Sequence, residues 1–454
     1  MRLLSRRKHS LGLAPYTAPV DGAQTYMSLA AITRDRIPPG FFGPGLRGTV
    51  TSYCQLLAGT AGRVGLQAVY FFVLANTLSL SAMGIFASVS AAGLMLASFS
   101  GLGFGSLAFR AAASRRRLLG RYMGLFFGLL CFTAPLGVLI ALPFYHPLFA
   151  HAISLPAFID ILLVEMVVWR IVELFTTVHN GMGDFTAGSM TITAASAIRA
   201  GGAVLFAFLG DGGIEQWAIF YAVANVAALV TVWFWLRPAV TPRWSTRLLR
   251  GRLKEGLMFA VSYFALNAQG QIDKLIVLSL TNAKFAGVYA IATRIIDFTA
   301  VPFRSFYTLY TRKLFGEGRK TGNALARTLT VEGAILGLST LAFVGLTATL
   351  WLWPDLLGPN VAIAAQLFAP MLIVPALRNL MEFHGELFFV HGRMAARAAV
   401  AVGLVCVNGA ALALLLSRTT DLLQVGLGLS LIHLLLYLMS AGALYRFITQ
   451  ETRS

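Results

Sequence analysis

The chain has 454 residues, 57% of them hydrophobic and only 12% charged, with a mean hydropathy of +0.74 and a formal net charge of +18. A soluble protein carries about 25% charged residues, so a soluble globular domain is excluded, and apolar runs of roughly 20 residues between Ser52 and Tyr445 read as membrane spans. No alternating barrel-strand pattern is present, so the spans are helices.

Residues 1–44 are polar, carry Arg6, Arg7 and Lys8, and contain no run long enough for a signal-peptide core. They read as a cytoplasmic tail. Spans are predicted at 50–75, 81–107, 121–144, 156–178, 187–209 and 214–236, giving a first six-helix bundle over 45–236. A basic linker follows at 237–254. Six more spans, at 256–280, 284–308, 327–352, 361–390, 395–416 and 422–445, form a second bundle over 255–446. Residues 447–454 are a second cytoplasmic tail. Lys and Arg alternate by side. Seven precede the first span, five lie at 110–121, six at 237–254, six at 304–327, two at 393–397 and two after the last span. The opposite side holds only Lys284 and Arg418. This 28-to-2 split predicts that both termini are cytoplasmic. It accounts for the net charge without nucleic acid. Trp217, Trp351 and Trp353 at outer ends, with Trp233 and Trp235 at an inner end, are expected to form an aromatic belt. Cys54, Cys131 and Cys406 all lie in apolar runs, so neither a disulfide framework nor a Cys-based metal site is indicated.

The chain repeats itself. "VLANTLSLSAMGIFASVS" (73–90) aligns without gaps on "IVLSLTNAKFAGVYAIAT" (276–293) at an offset of 203, matching Gly84 with Gly287. At that offset Arg110, Arg116 and Arg117 fall on Lys313, Arg319 and Lys320. "ELFTTVHNG" (173–181) is echoed by "ELFFVHG" (386–392). An even number of spans separates the copies, so the halves have the same orientation and should be related by an axis along the membrane normal.

Charges persist inside the spans, where a bare one costs about 2.5–3.5 kcal/mol on insertion scales. In span one, Gln55, Gly59, Arg63 and Gln67 share one helical face. Asn267, Gln271 and Lys274 line span seven, and Arg378, Glu382 and Glu386 step by four along span ten. Arg170 with Glu173, Arg294 with Asp297, and Arg378 with Glu382 are spaced to pair on their own helices. Six acids (Glu165, Glu173, Asp273, Asp297, Glu382, Glu386) are set against six bases. Arg63, Arg199 and Lys274 have no well-placed acid on their own helix and are the better candidates to grip an anion. The cavity candidates are therefore Arg63, Gln67, Arg170, Arg199, Gln271, Lys274, Arg294 and Arg378, and the acids are candidates for switching or pairing. Trp169 reads as packing more readily than as a sugar platform. "GLGFGS" (101–106) reads as small-residue packing within a span, and "GEGRKT" (316–321) lacks P-loop spacing. No metal-binding His pair, nucleophile motif or cofactor fingerprint is present, so an enzyme is not expected.

Ile272-Asp273-Lys274 with the following aliphatic run, Ala286-Gly287-Val288-Tyr289-Ala290, and the counterpart Met83-Gly84-Ile85-Phe86-Ala87 with Gly101-Leu102-Gly103 resemble the polysaccharide exporter (Wzx-type) flippases of the multidrug/oligosaccharidyl-lipid/polysaccharide superfamily. An Arg commonly precedes the first Gly motif there; Ala75 and Asn76 stand here. The resemblance implies an all-α, MATE-like fold of two parallel six-helix bundles in a bacterial inner membrane. It implies transport of an undecaprenyl-pyrophosphate-linked oligosaccharide from the inner to the outer leaflet, and polysaccharide polymerase and glycosyltransferases as partners. A cation-coupled multidrug exporter of the same fold is the nearest rival, disfavoured by an arginine and no acid in span one. A membrane glycosyltransferase or polymerase would need larger outer loops. A scaffold would not keep so many intramembrane charges.

Overall fold

The computed structural model describes residues 46–304, 306–307, 310, 324–391 and 393–451, with side chains beginning at Gly62 in the first helix. The tail 1–44, the repeat positions Lys313, Arg319 and Lys320, the GEGRKT stretch, Arg453 and the side chains of Cys54 and Gln55 lie outside the described residues.

Twelve helical rods follow the predicted spans. They are α1 (Leu46–Thr77), α2 (Leu80–Ala97) continued by α3 (Phe104–Ser114), α4 (Arg116–Leu148), α5 (Leu155–Leu163) continued by α6 (Trp169–Met182), α7 (Phe185–Leu209), α8 (Ile214–Trp235), α9 (Thr246–Leu280), α10 (Ala283–Thr299), α11 (Ala324–Leu352), α12 (Pro359–Ala364) continued by α13 (Val374–Val390), α14 (Met394–Leu416) and α15 (Leu422–Glu451). Eight are long and apolar enough to cross a membrane by composition alone. The others, α1, α5–α6, α9 and α12–α13, carry the polar stripes or the breaks. Outward faces are lipid-compatible: Ile219, Val223, Val226, Val230 and Phe234 form one exposed stripe on α8. The protein is thus an all-α, multi-pass membrane protein.

Three rods are broken. The GLG stretch is not continuous helix. Gly101 (φ 68°), Leu102 (φ 47°) and Gly103 (φ 73°) are successive left-handed residues that separate α2 from α3. Leu102 pays about 1–2 kcal/mol for that conformation. Gly103 also lies so close to the Gly256 carbonyl of α9 that a Cβ would overlap it. Between α5 and α6, Val164–Val168 form a π turn that includes Glu165. Between α12 and α13 the chain unwinds around Pro370, whose carbonyl accepts from Ser430 Oγ at 2.6 Å. That bond satisfies an acceptor the broken helix leaves free.

The first six rods and the last six form two bundles. At the face opposite the basic loops, their cores are continuous: Phe71, Phe86, Phe158 and Trp217 belong to one buried cluster with Tyr289, Phe343, Phe368 and Val425. Toward the basic face the cores are separate. One is built on Phe104, Phe126 and Phe175, the other on Tyr307, Phe383 and Leu444. The first of these two cores also takes in Phe259 of α9, so α9 bridges the halves at that end. α2 and α10 form the junction. A Cβ on Gly84 would overlap the carbonyl of Ala283, and one on Gly287 would overlap that of Leu80. Gly84 and Gly287 are 203 apart, and so are Leu80 and Ala283. Ser79 and Asn282, also 203 apart, each cap a helix by accepting from the amide three residues on, at 3.2 and 2.9 Å. Such reciprocity is what a two-fold axis between the glycines produces.

The segment 237–254 is irregular only to Ser245; the rest is the start of α9. The irregular part lies in a groove on α4. Gly120, Gly124 and Gly128, one turn apart, leave room for the Thr241 carbonyl, the Arg243 backbone and the Trp244 ring. Arg243 N donates to Gly120 O at 2.8 Å. Glu255 then accepts from Arg110 of α3 and from Arg252. Burial pushes its carboxyl up, but the two guanidinium bonds outweigh that and hold it below the usual carboxylate range. The basic end of α9 is therefore fastened to the first bundle. The belt expectation needs correcting. Trp351, Trp353 and Trp235 are exposed, but Trp217 is wholly buried among Phe86, Phe206 and Tyr221, and Trp233 packs on Phe127 and Phe175. Both face the bundle interior rather than lipid.

Candidate functional site

Most of the intramembrane charges are brought into three clusters. In the first, the π turn carries Glu165, 2% exposed. Tyr221 of α8 donates to Glu165 Oε1 at 2.5 Å, and Arg199 of α7 donates to the Tyr221 oxygen at 2.7 Å. Arg199 lies 3.6 Å from Glu165, and its guanidinium stands 4.7, 4.9 and 5.1 Å from the ring centres of Tyr70, Tyr221 and Trp169. Expected to have no acid on its own helix, Arg199 is paired from another one and caged by aromatic faces. Its acid comes from a neighbouring rod, which own-helix spacing does not reveal. Trp169 is a wall of that cage.

The second cluster lies on α6 of the first bundle, on the basic side of the first cluster. Arg170 and Glu173 pair along α6, as their spacing predicts. The Arg170 guanidinium also covers the Tyr263 ring of α9, 4.8 Å from its centre. Both charged residues line a cavity with Arg63.

In the second bundle the own-helix pairs are not formed. Arg378 of α13 donates to Asp297 of α10 at 2.8 Å, and Arg304 makes two bonds to Glu382, at 3.0 and 2.7 Å. Arg397 approaches Glu386 at 3.5 Å. Two rungs thus link the α10 rod to α13, because facing helices offer shorter, better-aligned contacts than a neighbour one turn away. Asp273 accepts from Tyr289 Oη at 2.8 Å. Lys274 Nζ donates to Gln271 Oε1 at 2.8 Å and Gly270 O at 2.9 Å, and lies 3.9 Å from Asp273. Asn267 is not free in the cavity: it donates to Ser98 Oγ and Leu94 O, tying α9 to α2.

Two cations are left over. Among the described residues neither Arg63 nor Arg294 has a hydrogen bond or ion pair, and neither does Gln67. Arg294 is exposed, with its guanidinium 5.4 Å from the Phe298 ring centre. Phe298 in turn stacks on Phe72 of α1, so Arg294 stands beside the opposite half. From the far ends of their helices, 14 residues for Arg63 and 11 for Arg294, both lie about 16–21 Å deep at ~1.5 Å per residue. That is mid-membrane.

Several groups escape the sequence reading. Tyr70, Tyr221 and Tyr289 supply phenols to the charge clusters. Asp160 and Glu332 lie within predicted spans but outside the six-acid count, which a full tally of span residues would have found. Glu332, 5% exposed, accepts from His384 at 3.0 Å, Tyr445 at 2.5 Å and Tyr437 at 3.1 Å. At the face opposite the basic loops, Asn76 donates to Leu357 O at 2.7 Å and Asn360 donates to Ala75 O and Leu78 O at 2.8 Å. Asn76 thus ties the halves together. Among the described residues no group of three His, Cys, Asp or Glu is placed to hold a metal.

The model of a family described as "Polysaccharide biosynthesis protein" matches residues 52–308. No curated protein matches. Among solved structures, an inward-facing conformation of a multidrug resistance MATE family transporter of the MOP superfamily is similar with a TM-score of 0.66 and 15% identity, over 86% of this chain and 96% of that one. An outward-facing conformation of such a transporter gives 0.61 and 15%, over 92% and 100%. A MOP superfamily transporter from Pyrococcus furiosus, described as having a binding pocket of reverse polarity that suggests a different function, gives 0.55 and 13%, over 90% and 99%. These likenesses show a shared fold.

Proposed function

Because the chain belongs to the polysaccharide biosynthesis protein family and has the fold of MOP superfamily transporters, we propose that it carries an undecaprenyl-pyrophosphate-linked oligosaccharide from the cytoplasmic to the outer leaflet of a bacterial inner membrane. The halves 45–236 and 255–446 rock about the α2–α10 junction, with both termini and the 237–254 segment in the cytoplasm, as the 28-to-2 charge split requires. The substrate is loaded from the cytoplasmic side. Glycosyltransferases supply that substrate, and a polysaccharide polymerase receives it.

The observation that carries this reading is that two mid-membrane cations, Arg63 and Arg294, have no hydrogen bond or ion pair among the described residues, in an interior whose other charges are mostly partnered. Such a cation is retained only for a purpose, and a guanidinium holds a phosphate through paired hydrogen bonds. Moving two negative charges outward across an inside-negative potential is favourable by about 2.3 kcal/mol per charge per 100 mV. Export of a diphosphate therefore needs no coupled ion. The exporter reading calls for a carboxylate free to take a cation or proton in the first half. There Glu165 is engaged by Tyr221 and Arg199, and Glu173 by Arg170, which leaves Asp160 of α5 as the span carboxylate of that half without a hydrogen bond or ion pair among the described residues.

The test is Arg63→Ala on the chromosome. The variant should be inserted and abundant while lipid-linked sugar accumulates on the cytoplasmic leaflet, and Arg63→Lys should keep part of the activity. Normal surface polysaccharide in the Arg63→Ala strain would end this reading.

A further inference from the structure

The cavity in the first half has a second set of groups with unused hydrogen-bonding capacity. Ser106 of α3 and Thr177 and Asn180 of α6 line it together with Arg63 and Arg170. Among the described residues none of these three polar side chains has a hydrogen-bond partner, and the Nε of Arg170 is buried without one. Hydroxyls and an amide offer both donors and acceptors, which suits a polyhydroxylated ligand, whereas a guanidinium only donates. Phe109 and Phe126 add apolar ring surface to the same walls.

The groups are also ordered in depth. Thr177 and Asn180 lie five and two residues from the end of α6 at Met182, within about 8 Å of the basic face at ~1.5 Å per residue. Arg63 lies at mid-membrane. A prenyl diphosphate sugar in the cytoplasmic leaflet presents its parts in the same order: tail in the hydrocarbon, then diphosphate, then sugar toward water.

We propose that this cavity is a headgroup subsite, in which Arg63, with the Arg170 guanidinium beside it, holds the diphosphate while Ser106, Thr177 and Asn180 bind hydroxyls of the first sugar. The assignment rests on the flippase reading. It makes the first half, closed on one side by Tyr263 of α9, the part that recognises the reducing-end sugar, with Thr177 and Asn180 as specificity residues. Glu173, held by Arg170, keeps the subsite at one net positive charge and offers a further acceptor to a sugar hydroxyl.

The experiment compares two probes on the full chain in lipid nanodiscs: farnesyl diphosphate, and farnesyl diphosphate bearing one N-acetylglucosamine. The unaltered protein should bind the sugar-bearing probe about tenfold more tightly, the worth of one or two hydrogen bonds. Thr177→Val combined with Asn180→Leu should erase that difference while farnesyl diphosphate binding is unchanged. Thr177→Ala with Asn180→Ala serves if the bulkier pair lowers the melting temperature. Arg63→Gln should weaken both probes by tenfold or more. Equal binding of the two probes to the unaltered protein, a sugar preference that survives in the double variant, or unchanged binding in Arg63→Gln each overturns the subsite. Failure of the unaltered protein to bind either probe overturns the flippase reading beneath it.

Discussion

Gly84 and Gly287 face each other across the junction of the two halves, each lying against the backbone that precedes the other by four residues. No other residue leaves room for that approach. α2 and α10 accordingly meet backbone to backbone where the halves join.

The first prediction concerns that junction. Gly84→Val and Gly287→Val force a side chain onto a carbonyl, and overpacking of this kind costs about 1–3 kcal/mol. Each should lower the melting temperature and cellular abundance, and Gly84→Ala should do so less. Normal abundance and melting for Gly287→Val would contradict the close packing.

The groove on α4 makes a second prediction. Gly124→Val fills the space held by the Arg243 backbone and should lift 240–244 off the bundle. A cysteine at Trp244 should then react faster with a thiol reagent added from the cytoplasmic side than it does with Gly124 intact. An unchanged rate would mean that the segment does not depend on the groove.

Arg294 and Arg378 separate binding from bracing. Arg378 and Asp297 are each about 29% exposed at their side chains. Breaking their pair should therefore cost about 1–2 kcal/mol, below the 3–5 kcal/mol of a fully buried pair. Asp297→Asn should lower thermal stability, and exchanging the two charges should restore part of it. Arg294→Gln should leave stability within about 0.5 kcal/mol while abolishing export. Loss of stability in Arg294→Gln would show that this arginine braces the fold.

At the far end, Asn76 and Asn360 hold the halves closed through bonds to helix-terminal carbonyls. Asn360→Ala removes two of them, each worth about 1 kcal/mol, and should shift the population toward an opening on that side. A cysteine at the buried Leu78 should become more reactive toward an impermeant reagent applied outside. If labelling does not rise, the bonds do not hold the gate.

The succession of helical spans and the internal repeat were legible in the sequence. A bilayer imposes its constraint along one dimension: an apolar run must be long enough to cross, and its flanking charges must fall on one side. Reading the chain in order suffices for that, and the offset of 203 reappears as the paired caps of Ser79 and Asn282. The pairing of Arg170 with Glu173 was legible too, because it lies within one helix. Which other charges are free was not. Spacing suggested that Arg199 lacked an acid and that Arg294 had one, yet Glu165 reaches Arg199 from the next rod and Arg378 takes Asp297 from Arg294. The break at Gly101-Leu102-Gly103 likewise depends on α9 crossing there. A partner on another helix depends on how the rods rotate and tilt against one another. That is set by the fit of whole faces in three dimensions, so only the packed structure decides which cations remain to meet a substrate.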